Sequence, residues 1–161
     1  MWYLSHRGDP RANAIAKRHY NCQSPDSKQF VPPGRCLVLL TGNATDLWVT
    51  SFPFAQYVKH AWAGAYVCSC FRKESNGLAS EMIREAVAHT LWFHAVTPSW
   101  QFAASSSWAA YSTPDKGMIT FIDPRKVRPT IRRGVPTWGY SYLKAGFKYV
   151  GQTKAGCWRF N

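Results

Sequence analysis

The sequence predicts a single mixed α/β (α+β) domain, a twisted sheet with helices packed on its faces. Three observations predict it. Short aliphatic and β-branched runs are stopped by glycine, proline or asparagine; one long stretch, Leu78 to Trp92, has apolar residues at helical spacing; and the two kinds of segment alternate without an internal repeat over 161 residues. That length suits one core, burying roughly two-thirds of the unfolded surface, so 1–161 reads as one domain.

Asp9-Pro10 is a helix start, an N-cap acceptor followed by proline at the first helical position, and Arg11 to His19 continues it. Phe30-Val31-Pro32-Pro33-Gly34 reads as a rigid turn, and Arg35 to Leu40 as a strand stopped by Thr41-Gly42-Asn43. Asp46 to Phe52 and Gly64 to Phe71 supply two further strands. In the second, Cys68 and Cys70 alternate with Val67, Ser69 and Phe71, which places both thiols on one face, as small core residues in preference to metal ligands. The helix from Leu78 follows directly. Residues from about 100 to 117, rich in serine, alanine and aromatics, have no period and read as an irregular insertion before the strand Met118–Ile122. A basic arm occupies 124–138; Gly139 to Gly146 forms a short helix with a C-cap glycine, and Phe147–Gln152 with Cys157–Phe160 a closing hairpin.

Charge sorts the function classes. Twenty Lys and Arg against eight Asp and Glu give +12, and Asp123 is the last acidic residue, followed by nine Lys or Arg. A composition 46% hydrophobic and 16% aromatic excludes a disordered basic tail, so a folded protein presents this charge, and nucleic acid is the expected partner. No run approaches the ~18 apolar residues of a membrane span and the N-terminus lacks a signal-peptide core, so no membrane partner and a cytoplasmic location are expected. Five cysteines, an odd number without a C-x-x-C pair, fit neither a disulfide framework nor a zinc site and read as reduced thiols.

Several groups could carry chemistry. Ala65 to Ser80 is strand, glycine-containing loop and helix start, an arrangement whose backbone N–H groups face an anion; Arg72 adds a fork of donors and Gly77 lets a ligand approach. The alternative is an ordinary turn with Ser80 as the helix cap. Asp123, at a strand end, either handles an amine or caps the turn before Pro124. Arg125, Lys126, Arg128, Arg132 and Arg133, with Trp138 and Tyr140 nearby, either contact DNA or form a solvated charge run. His19-Tyr20 can face a pocket, bind a metal or be structural. The aromatics Trp92, Phe93, Trp100, Phe102, Trp108 and Tyr111 either bury themselves or stack a base.

Strand, anion-binding loop, long helix and strand, followed by Tyr142-Leu143-Lys144-Ala145-Gly146-Phe147, resemble the acyl-CoA N-acyltransferase (GNAT) superfamily, in which this tyrosine often protonates the leaving thiolate. A narrower resemblance is to the phage Mom-like DNA-modification proteins, a divergent branch acting on adenine N6. It rests on Phe71-Arg72, on Leu78-Ala79-Ser80-Glu81-x-Ile83, and on Phe121-Ile122-Asp123 preceding the Tyr142 motif. It implies Asp123, Arg72, Ser80 and Tyr142 as active-site residues and His19-Tyr20 as the matching upstream element. Four residues separate Arg72 from Gly77 where the superfamily usually has two, which weakens coenzyme A binding and keeps an anion site.

The function expected from charge and resemblance together is modification of adenine N6 in double-stranded DNA, flipped into a pocket, by a phage protein evading host restriction. The group added would be of carbamoylmethyl (glycinamide) type, or an acyl group. The donor stays open, acetyl-CoA or another activated donor; the resemblance also implies iron, with His19 the first residue to test, and a homodimer is allowed. Two rivals remain: a conventional acetyl-CoA-dependent N-acetyltransferase on a small amine or protein, and a non-catalytic DNA-binding protein on a degenerate scaffold.

Overall fold

A computed structural model of the chain describes residues 1–22, 26–31, 34–52, 64–96 and 116–161. Most of the insertion expected at about 100–117, with Trp100, Phe102, Trp108 and Tyr111, lies outside the described residues, as do Pro32 and Pro33 of the expected rigid turn.

The strands are β1 (Trp2–Ser5), β2 (Arg35–Thr41), β3 (Asp46–Phe52), β4 (Tyr66–Lys73), β5 (Met118–Ile122), β6 (Thr130–Arg132), β7 (Val135–Thr137), β8 (Tyr149–Gln152) and β9 (Trp158–Phe160). The helices are α1 (Pro10–Lys17), α2 (Ala79–Val96) and α3 (Tyr140–Ala145). Seven strands form one sheet in the order β1-β2-β3-β4-β5-β9-β8, antiparallel throughout except for the β4–β5 pair. The mixed α+β class expected from the sequence is the observed one.

Local chemistry sets the helices. Asp9 caps α1 by accepting the Arg11 N–H at 2.9 Å, and Pro10 occupies the first turn. Ala12, Ile15 and Ala16 then face the sheet, burying against Val38, Leu40 and Val49. On the other face α2 lays Ile83 and Ala86 on Leu37, Leu39 and Trp48. Each of the isoleucines, leucines and valines among these contributes about 1.5–3 kcal/mol of burial. Thr90 is fully buried and accepts the Trp48 indole N–H at 3.1 Å while its hydroxyl donates to the Ala86 carbonyl at 2.8 Å, so this polar group costs nothing unpaired. α3 ends as expected, with Gly146 at φ 108 and the Gly146 and Phe147 N–H groups returning to the Leu143 and Tyr142 carbonyls.

Four details depart from the sequence reading. β1 was not foreseen; it pairs with β2 from Trp2–Thr41 to Ser5–Val38. Cys68 and Cys70 do not share a face. The β3–β4 register shifts between Val49 and Thr50, which oppose Cys70 and Cys68, so Ser69 is the extra residue of a bulge. Cys68 thereby packs with α2's cluster and Cys70 with α1's. Ser80 is not the helix cap, because α2 already begins at Ala79.

Finally, the basic arm contains a β6–β7 hairpin. Arg133 and Gly134, both at positive φ (49° and 78°), form its two-residue turn, as a type I′ hairpin requires. Arg132 pairs with Val135 beside that turn, so Pro136 opposite Ile131 falls where its missing N–H removes no ladder bond.

Candidate functional site

The β4–β5 pair is short. Tyr66, Val67 and Cys68 match Met118, Ile119 and Thr120; beyond that β4 runs on to Lys73 while β5 ends at Ile122, paired on its other side with β9. The strands part at the Cys68–Thr120 pair. In the fork lies a cavity of about 140 Å³ whose lining includes His19, Tyr20, Cys68, Ser69, Thr120 and Tyr142. A second cavity of about 300 Å³, on the α1 side with Asn13, Lys17 and Phe30, shares His19, Ser69 and Cys70 with the first. The bulge at Ser69 thus sits between two openings, and a bulge leaves backbone groups outside the ladder.

Three expected residues converge here. α3 carries Tyr142 over the fork, its hydroxyl 3.7 Å from the Cys68 thiol, while the Thr120 hydroxyl donates to the Cys68 carbonyl at 3.2 Å. Burial raises the Tyr142 phenol well above its ordinary range and pushes the Cys68 thiol up to about 12, so both keep their protons near neutrality. The turn after α1 delivers His19 and Tyr20, with ring centroids 4.4 Å apart. The Tyr20 hydroxyl donates to the Phe121 carbonyl at 3.1 Å, and burial raises its pKa to about 12. Burial, then the Arg72 charge, lowers His19 to about 4, leaving the imidazole neutral. Its Nδ1 accepts the Asn21 N–H at 3.3 Å, which puts the ring proton on Nε2.

Asp123 follows Ile122 at the end of β5 and is only 8% exposed. Both readings of this residue are present together. Its Oδ1 caps the turn by accepting the Arg125 N–H at 3.0 Å, and the Arg125 guanidinium grips both oxygens at 2.8 Å. That fork holds the carboxyl down at about 2. Asp123 is therefore a poor proton acceptor, but Oδ2, which takes only one bond from Arg125, keeps lone-pair capacity for an amine N–H. Of the DNA-contact residues, Arg125 is thus an ion-pair partner; Lys126, Arg128, Arg132 and Arg133 stand exposed.

Arg72 is committed elsewhere. Its Nε donates to Glu74 at 3.0 Å and its Nη1 to the Arg18 carbonyl at 2.8 Å, while Arg18 forks the same carboxylate at 2.8 and 2.7 Å. Arg72 thereby fastens the turn that presents His19. In the Gly77 loop the Glu74 and Ser75 N–H groups both donate to Asp46 Oδ1, at 2.8 and 2.9 Å. These two N–H groups are taken by the Asp46 carboxylate and Arg72 by that of Glu74, so the loop has neither left for a diphosphate and does not fit coenzyme A. Gly77 and Ser80, at the α2 N-terminus, do not line the fork cavity.

Iron fits no better. His19 brings one imidazole, the neighbouring thiols of Cys68 and Cys70 are held protonated by burial, and among the described residues no three His, Cys, Asp or Glu gather as a metal site. Sequence reading missed Cys68, Thr120, Ser69 and Glu74 as parts of the site. Only Glu74 left a signal, as the one acidic residue in the Arg72 loop.

No family model, no curated protein and no solved structure matches the chain.

Proposed function

We propose that the chain is a GNAT-like transferase that modifies adenine N6 in DNA, as the Mom-like resemblance implies. The observation that carries this reading is the fork: one parallel strand pair in an otherwise antiparallel sheet parts beside a bulge. Tyr142, Tyr20 and His19 line the gap; Asp123 is outside the lining but directly follows Ile122, which is part of it, where the basic arm begins. Strand edges that part in this way leave backbone donors and acceptors for a ligand, and the arm after Asp123 supplies the charge a phosphate backbone needs.

In this reading the exocyclic amine is held rather than deprotonated by Asp123, through Oδ2. The reaction forms a bond from N6 to the donor carbon and breaks the bond from that carbon to its leaving group. One N6 proton ends on the leaving group. Tyr142, kept neutral by burial, gives its phenolic proton to the leaving group and regains one from the amine. His19 Nε2–H and the backbone beside Ser69 are the remaining donors for charge that develops on the donor group. No step passes through coenzyme A or iron. Escape from host restriction, with the host cytoplasm as the setting, follows if the modified base blocks nucleases.

Restriction of plasmid DNA tests this. DNA from cells expressing the wild-type chain should resist a panel of nucleases whose sites contain adenine and remain sensitive to those with only G and C; Asp123→Ala and Tyr142→Phe should restore cutting. Equal cutting of adenine-containing sites in DNA from wild-type and variant strains, with folded protein present, would overturn the reading.

A further inference from the structure

The β6–β7 hairpin projects from the rest of the fold. Every residue from Thr130 to Pro136 is exposed, including Ile131 (60%) and Val135 (61%). It is nevertheless fixed at its base. The Trp138 indole donates to the Val127 carbonyl at 3.0 Å, Trp138 packs on Trp158 with centroids 5.3 Å apart, and the Arg132 guanidinium lies 5.0 Å from the Tyr140 ring centroid. Val127 also lines the fork cavity, so the ribbon rises from the cavity rim.

Its tip is unusual. A type I′ turn favours Asn-Gly, yet Arg133 takes the left-handed position at φ 49, and among the described residues it has no ion-pair or hydrogen-bond partner. An arginine in a backbone position that would suit asparagine better points to a use for its guanidinium.

We propose that this ribbon enters the major groove of duplex DNA and that Arg133 at its tip reads a guanine beside the target adenine. The proposal rests on the reading of DNA as substrate. Dimensions favour the major groove. A two-stranded ribbon fits a groove about 12 Å wide and not one about 6 Å wide, and three residues per strand at about 3.3 Å each reach a floor about 8.5 Å deep. Charge agrees: Arg128, Arg132 and Arg133 lie on or beside the ribbon, and no carboxylate follows Asp123 in the chain. Guanine offers O6 and N7 to a planar guanidinium, and adenine N6 lies in the same groove.

Arg133→Asn is the discriminating variant, because Asn-Gly preserves the turn. The purified full chain would select from duplexes randomised around a fixed adenine. The wild type should enrich guanine at one position, and Arg133→Asn should lose that enrichment, with affinity for the selected duplex falling roughly five- to hundred-fold. Arg128→Gln should weaken all sequences alike and lower the salt slope by about one. On the selected duplex, 7-deazaguanine, which lacks N7, should weaken binding, whereas inosine, which lacks only the minor-groove amino group, should not. No guanine enrichment, enrichment that survives Arg133→Asn, or sensitivity to inosine alone would overturn the ribbon's role. If adenine is modified in cells despite any of these results, the transferase reading stands and only the ribbon fails.

Discussion

Gly139 joins the ribbon to the helix that carries Tyr142, and Gly139→Ala tests whether that junction is as tight as its geometry. An added Cβ would lie 2.5 and 2.7 Å from Phe160 Cζ and Cε2 and 3.0 Å from Ile122 Cδ1. Phe160 is fully buried, with Tyr142 stacked 6.4 Å from it and Tyr149 edge-on at 5.8 Å, so its ring cannot swing away. The residue is also left-handed, at φ 66. Overpacking costs about 1–3 kcal/mol and a left-handed alanine about 1 kcal/mol, together about 2–4 kcal/mol. For a chain of this size that lowers Tm by about 4–16 °C. Gly134→Ala is the control, since its φ is 78 with nothing within 4 Å of an added Cβ, leaving only the backbone cost of about 1 kcal/mol. Urea unfolding followed by tryptophan fluorescence measures both. Equal losses in the two variants, or a Gly139→Ala change below about 0.5 kcal/mol, would refute the crowding argument.

Other predictions follow from the same geometry. Thr90→Val strips the Trp48 indole of its acceptor in the core and should cost about 1–3 kcal/mol by urea denaturation. The His19 ring should titrate by NMR near 4, and Arg72→Gln should raise that midpoint while burial keeps it below 6.5. Because the folded value is the lower one, His19's contribution to stability is complete above 6.5 and is lost as pH falls through about 4. Asp123 should titrate near 2 and move toward the ordinary 3.8 in Arg125→Gln; its contribution is present above 3.8 and is lost as pH falls through about 2. Cys68, with its thiol at about 12, should resist thiol reagents at pH 8 in the native chain while Cys22, Cys36 and Cys157 react, as peptide mapping would show.

What the sequence revealed was local. The Asp9-Pro10 start, the helix from Leu78 and the Gly146 cap are written in neighbouring residues, and the structure has them within a residue or two, except at α2's longer C-terminal end. Alternation failed at Cys68 and Cys70 because one bulged residue inverts every face after it, and a bulge depends on the partner strand. The fork was illegible for a similar reason: it is fixed by the pairing of Cys68 with Thr120, fifty-two residues apart. Arg133-Gly134 between Ile131 and Val135 was a legible turn signal, hidden by the density of charge around it. The roles of Arg72 and Asp123 changed most, since their counterions Glu74 and Arg125 lie only two residues away, and two-residue ion pairs leave no pattern that separates them from open sites.

We propose that this chain places a new group on adenine in DNA. Mass spectrometry of nucleosides from plasmid DNA made in cells expressing the chain tests it most directly. A deoxyadenosine of increased mass is expected in the wild-type strain, absent with Asp123→Ala and with Tyr142→Phe although both variants fold. Deoxyadenosine of unchanged mass beside abundant, folded wild-type protein would contradict it.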